Sequence, residues 1–193
     1  MKSKKQIFVI ENLDFPLEEW SILEYKHVSE CVGKDSLWFT NIKESDNSKL
    51  SSYGKVIINS IKTINPANAC ILDPEAPILL TPEEAKTFDY LIFGGILGDN
   101  PPRKRTEIEL TRFLENAKPR NLGKSQMSTD SAVFVAKQIA EGKPLKGIKF
   151  QDGMDIKINN ILTTNLPYHY PIVNGKPYIS EELIELIKKK DAS

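Results

Sequence analysis

The stretch Asp89–Arg103, DYLIFGGILGDNPPR, decides how the rest of the chain is read. DYLIF is apolar and aromatic, as a strand covered on both faces would be, and it runs into Gly94, Gly95 and Gly98 before an acid and a diproline. A strand ending in glycines places a loop at its carboxyl end, which in an open α/β sheet is where ligands sit. The spacing is G-G-x-x-G, neither the dinucleotide fingerprint nor the P-loop, and no lysine or helix start follows directly, so phosphate binding does not fit. Two readings remain. The glycines either make a tight turn with positive φ, or they remove the Cβ atoms that would keep backbone amides and carbonyls away from a neutral or cationic nucleoside, of which S-adenosylmethionine is one.

Working outward, QIFVI is a second buried strand, and Pro16 to Gly33 carries an amphipathic helix with Leu17, Trp20, Leu23, Val28 and Cys31 as its apolar positions. SLWFTNI and ACILDP are further strands, and the stretch from Lys49 to Ile64 is expected as a helix. Thr81-Pro82-Glu83-Glu84 is a capping box with proline at the first helical position. Arg105 to Asn116 reads as a helix, KPRNLGKSQM as a short strand and loop, and Thr129 or Asp130 as the cap of a helix that Gly142 closes. Residues 143–193 change character, with turns and short β segments before a lysine-ended final helix, and are expected as an appendage wrapped on the main fold. The alternation predicts one α/β domain with a mainly parallel sheet.

The 193 residues are 40% apolar and 27% charged, which is globular composition, and Lys+Arg and Asp+Glu balance at 26 each. That balance lacks the basic excess of a sequence-independent nucleic-acid binder. Cys31 and Cys70 stand far apart with no partner ligands nearby, as in a reducing compartment, and YLIFGGIL is far too short to span a bilayer, so a cytoplasmic protein away from membranes is expected. His27 and His169 are the only histidines, which supplies neither a zinc cluster nor a Ser-His-Asp arrangement.

The stretches IENLDFPLEEWSILEYKH, LDPEAPILLTPEEAKTFDYLIFGGILGDNPPRKRTEIEL and NLGKSQMSTDSAVFVAKQI, with LPYHYP and GKPYISEELIELIKKK, resemble a family of small SPOUT-class methyltransferases of archaea and eukaryotes. That family includes the yeast arginine methyltransferase of a small-subunit ribosomal protein. The resemblance implies a SPOUT fold with a trefoil knot in the C-terminal half, an exception to the near absence of knots, and a pocket for S-adenosyl-L-methionine in the knot loops. By motif, the pocket residues implied are Phe93, Gly94, Gly95, Leu97 and Gly98, then Leu122, Gly123, Gln126, Met127 and Thr129. It further implies a ribosomal-protein substrate, with transfer or ribosomal RNA as the alternative and a monomer favoured over a homodimer.

Methyl transfer from a sulfonium is an in-line displacement that needs alignment and exclusion of water rather than a metal. An arginine nucleophile must be held beside a cationic donor and lose a proton, which carboxylates can arrange through a bidentate fork. Asp99, Glu24 and Asp130 are the candidates, Asp99 first; each also has a plain structural reading, as turn brace, solvated helical acid and N-cap. Arg103 and Arg105 can contact substrate phosphate, clamp the cofactor's carboxylate or simply be solvated, and Arg103 is assigned to the active site. Tyr168 and Tyr170 either line a substrate groove or anchor the tail.

Overall fold

Strict alternation along the expected strands sends their side chains to opposite faces of one sheet. In the computed structural model, which describes residues 5–98 and 103–191, β1 (Ile7–Asn12) directs Phe8 and Ile10 to one side and Val9 to the other. The same division holds in β4 (Ala69–Leu72) and β5 (Tyr90–Gly95), where Cys70, Leu72, Leu91 and Phe93 join one core and Ala69, Ile71 and Ile92 the other. Both faces are therefore buried, which is why these strands read as unbroken apolar runs. With β2 (Leu37–Thr40), β3 (Lys55–Val56) and β6 (Ala117–Arg120) they form a parallel six-stranded sheet in the order β3-β2-β1-β5-β4-β6. The α/β fold with a mainly parallel sheet is as the alternation predicts.

Helix α1 (Glu19–Val32) ends at Gly33, whose φ of 80° supplies the left-handed stop. It buries Tyr25 and Val28 against the sheet and turns Trp20 and Leu23 to the C-terminal region, so its apolar surface is wider than one stripe. The expected helix from Lys49 to Ile64 is instead three pieces: α2 (Asn47–Leu50), strand β3 and α3 (Ile61–Ile64). Gly54 lies so close to β2 that a Cβ there would sit 2.8 Å from the Leu37 carbonyl oxygen, and Ser60 starts α3 by accepting the Lys62 N–H at 3.1 Å. These close fits override the helical pattern.

At α4 (Pro82–Ala85) the capping box is half made. Thr81 Oγ1 accepts the Glu84 N–H at 3.3 Å, but the Glu84 carboxylate turns to Arg120, whose Nε donates to it at 2.6 Å. The expected helix from Arg105 to Asn116 is α5 (Arg105–Glu109) followed by a 3-10 turn, because the backbone leaves helical geometry at Leu110 (φ −132°, ψ −60°). Helix α6 (Thr129–Ala140) begins one or two residues earlier than expected: Ser128, not Thr129 or Asp130, occupies the N-cap, and Asp130 accepts the Ser131 N–H at 2.8 Å from within the first turn. Gly142, at φ 107°, closes it.

Beyond residue 143 the β segments are longer than the sequence suggests. β7 (Phe150–Lys157) and β8 (Thr163–Val173) form an antiparallel hairpin with a register shift between Asp152 and Met154, and β9 (Lys176–Pro177) adds a short third strand. Helix α7 (Glu181–Asp191) buries Leu183, Leu186 and Ile187 against this hairpin and the outer face of α1. Among the described residues no helix is long and apolar enough to cross a membrane.

Candidate active site

The glycines of the opening stretch are required by their surroundings rather than by their backbone angles. None of Gly94, Gly95 and Gly98 has φ in the left-handed region. What they lack is room. A Cβ on Gly95 would collide with the Tyr25 hydroxyl, one on Gly98 would collide with Gln126 Nε2 and lie 2.7 Å from Tyr168 Cε1, and one on Gly94 would lie 3.2 Å from Thr106 Oγ1. The loop is therefore built for close approach by neighbouring side chains of the fold, and the positive-φ turn reading does not hold.

Three strand-end segments meet beyond the carboxyl ends of β4, β5 and β6, as the rule for open α/β sheets requires. After β4, Asp73 accepts the Glu75 N–H at 2.9 Å and the Thr111 hydroxyl at 2.6 Å, which fixes the turn and ties it to the 3-10 segment. After β5, the Leu97 N–H donates to Asp14 Oδ2 at 2.6 Å. The other oxygen of Asp14 accepts from Arg105 Nη1 at 2.7 Å, and Arg105 also donates through Nε to Glu109 at 2.6 Å. Hydrogen bonding to Glu109, with Asp14 adding to it, raises the Arg105 pKa further, so this guanidinium is a permanent cation. After β6, Asn121 exchanges backbone hydrogen bonds with Ile78 and Leu80, and its side chain accepts the N–H of Gly123, which sits at φ 97°.

These segments enclose a cavity of about 200 Å³ lined by Leu72, Asp73, Glu75, Phe93, Gly94, Gly98, Gln126, Met127, Thr129 and Ala132, with Arg103, Lys104, Arg105 and Lys124 around it. A second hollow of about 60 Å³ shares Leu72, Asp73, Pro74, Met127 and Ala132 and adds Leu122, Gly123 and Ser125. Of the residues expected at a cofactor pocket, Phe93, Gly94, Gly98, Gln126, Met127 and Thr129 line the cavity and Leu122 and Gly123 the hollow. Gly95 instead faces Tyr25, and Leu97 is held through its amide by Asp14. Asp99 lies outside the described residues.

Arg103 is in the cavity wall, whereas Glu24 and Asp130 stand behind it. Both acids are buried and neither is in the lining, but Thr129, which is, bonds to Glu24 and precedes Asp130 in the chain. Glu24 accepts the Trp20 Nε1–H at 2.9 Å and bonds to Thr129. Burial, reinforced by the charge of Asp130, pushes its pKa up to about 8, so it holds its proton at neutral pH. Asp130 meets His27 Nδ1 at 2.8 Å and accepts the Ser128 hydroxyl at 2.6 Å, while the His27 ring stacks on Tyr178 at 4.3 Å. His27 is thus a partner of Asp130 rather than a plain surface residue. Tyr168 reaches the glycine loop, its hydroxyl donating to the Gly98 carbonyl at 3.0 Å, and the His169 N–H donates to the Gln126 carbonyl at 2.8 Å.

Sequence reasoning missed Asp14, Asp73 and Glu75. Asp14 and Asp73 share a signal: each is an acid just past the end of a strand, in LDF and LDP, where free backbone N–H groups need acceptors.

An open parallel sheet, glycines without Cβ clearance and a cleft framed by three strand-end loops make an α/β domain with a ligand site at its strand ends, and its likeness to a solved yeast arginine methyltransferase, at 33% identity and a TM-score of 0.86, puts it among the methyltransferases. Residues 7–193 match the profile of the family described as protein arginine N-methyltransferase SFM1-like, and the chain belongs to that family. It is 35% identical over 203 residues to protein arginine N-methyltransferase SFM1 of Saccharomyces cerevisiae, covering 96% of this chain and 95% of the relative. The crystal structure of the yeast arginine methyltransferase SFM1 complexed with SAM superposes with a TM-score of 0.88 at 34% identity, covering 97% of this chain and 92% of that one. The dual-specific Trm10 of Thermococcus kodakaraensis, at 18% identity, shares the fold with a TM-score of 0.56 over 72% of this chain and 95% of its own.

Proposed function

We propose that this methyltransferase uses S-adenosylmethionine as its cofactor to methylate an arginine of a ribosomal protein. The observation that carries the reading is the coincidence of a family match over residues 7–193 with a cavity formed where three loops of that fold converge. The lining fits the group: Gly94 and Gly98 stand in the cavity wall, their missing Cβ atoms letting Thr106, Gln126 and Tyr168 close up around it, and Leu72, Leu122, Met127 and Ala132 offer an apolar slot for a nucleobase. Arg103 and Lys124 would hold a carboxylate end, and Gln126 and Thr129 would bond ribose or amino groups.

When bound, the cofactor supplies a methyl group on a sulfonium, open to in-line attack. The chain's part is alignment. Asp14 fixes both Leu97 and Arg105 with one carboxylate, so the glycine loop and the start of α5 keep a constant spacing across the cavity. The apolar wall excludes water, and a carboxylate must orient the guanidinium and favour its loss of a proton. Asp99 keeps first place for favouring the loss of the proton, while Glu24 holds Thr129, a residue of the lining, and Asp130 follows it in the chain. A trefoil knot, monomeric action and a cytoplasmic location belong to the same proposal. The pairing of Asn121 with residues 78 and 80, which brings the chain leaving β6 against an earlier loop, supports the first, and the two free cysteines support the last.

The test is transfer of labelled methyl from S-adenosylmethionine to ribosomes and total RNA, followed by separate protease and ribonuclease digestion. Label released by protease, resistant to ribonuclease and recovered as methylarginine is expected. Label lost only to ribonuclease would overturn the protein substrate and establish the RNA one.

A further inference from the structure

We propose that Glu75 is the seat for the substrate guanidinium and that Lys104 occupies this seat until substrate displaces it. The inference rests on the arginine-methyltransferase reading of the same cavity. Among the described residues the acids lining the cavity are Asp73 and Glu75. Asp73 is buried, and both its oxygens are engaged in holding the turn, by the Glu75 N–H and the Thr111 hydroxyl. The Glu75 side chain is 37% exposed, and its carboxylate meets Lys104 Nζ at 2.5 Å. Lys104 itself is 58% exposed and holds the left-handed backbone (φ 55°, ψ 31°) immediately before α5.

An ion pair this exposed is weakly held, because water competes for both partners and the lysine gains rotamer freedom on release. Arg105, by contrast, is bound to both Asp14 and Glu109 and stays where it is. A guanidinium brought next to a sulfonium adds a cation to a rim that already carries Arg103, Lys104, Arg105 and Lys124. Exchange at Glu75 keeps the charge balance: the lysine swings to solvent as the arginine arrives. The planar guanidinium fork takes a carboxylate through two hydrogen bonds, whereas another ammonium gains nothing over the one it displaces. Lys104 therefore acts as an internal competitor that an arginine side chain wins against and a lysine side chain does not.

Steady-state kinetics on ribosomes, with cofactor Kd measured separately by calorimetry, test this. K104Q is expected to lower KM for the ribosomal substrate about threefold, the worth of an exposed ion pair, and E75Q to raise it about tenfold. The cofactor Kd is expected to stay within about twofold of wild type in both variants, and the double variant to match E75Q, since the competitor matters only while its seat exists. An unchanged or raised KM in K104Q, or a weakened cofactor Kd in E75Q, would overturn the assignment while leaving arginine methylation standing. Wild-type label confined to RNA would instead remove the arginine reading and the seat together.

Discussion

Glu24 and Asp130 are two buried acids enclosed by different partners. Asp130 has His27, Ser128 and the Ser131 N–H around it, while Glu24 is enclosed with Trp20 and Thr129 and feels the Asp130 charge. The folded-state pKa of Glu24 is raised from 4.5 to about 8, so between those values the folded chain binds a proton that the unfolded chain has released. Stability from this group is therefore fully present below about pH 4.5 and is lost as pH rises through 8, at up to about 1.4 kcal/mol per pH unit. Thermal denaturation across pH 5 to 9 should show E24Q gaining on wild type as pH rises; parallel curves would show that Glu24 does not titrate in that window. The sequence marked both acids as candidates because their motifs matched, but it held no information on which hydrogen bonds enclose them.

At the scale of elements, the cavity depends on contacts between segments far apart in sequence. The β7-β8 hairpin supplies Tyr168 and His169, which bond to Gly98 and Gln126 and so hold the first and second loops against each other. Loss of the Tyr168 hydroxyl removes one such bond, typically about 1 kcal/mol. Y168F should accordingly weaken cofactor binding about three- to tenfold and speed hydrogen exchange at the Leu97 and Gly98 amides. Unaltered exchange at those amides would show that the hairpin packs there without ordering the loop. The elements legible in the sequence were α1 and α4, whose Gly33 stop and Thr81 cap are local, and the strands buried on both faces, which show as unbroken apolar runs whatever their partners. The stretch from Lys49 to Ile64 was misread because β3 exists only through pairing with β2 and the close fit of Gly54 to Leu37. The length of the hairpin was hidden for a related reason, since β7 and β8 stabilise each other and alternate only loosely in burial.

For the molecule as a whole, two apolar cores on the faces of the sheet fix the strands, and a third joins α7 and the hairpin to α1. Rigid strands ending together give the loops a fixed base, and the glycine loop turns that base into a cavity by admitting neighbours where a side chain would stand. The location of this site was legible, because DYLIF ends in glycines at a strand's carboxyl end; Asp73 and Glu75 in its lining, and Asp14 bracing its glycine loop from the end of β1, became visible only once the strand ends stood side by side. The central claim is that the cavity beside Gly98 takes S-adenosylmethionine. Calorimetric titration of wild type and G98V with the cofactor tests it most directly, with circular dichroism confirming that both are folded. Wild type should bind with one-to-one stoichiometry and G98V should lose at least about a hundredfold in affinity, since its side chain would take the space held by Gln126 and Tyr168. Equal affinity in a folded G98V would contradict the account.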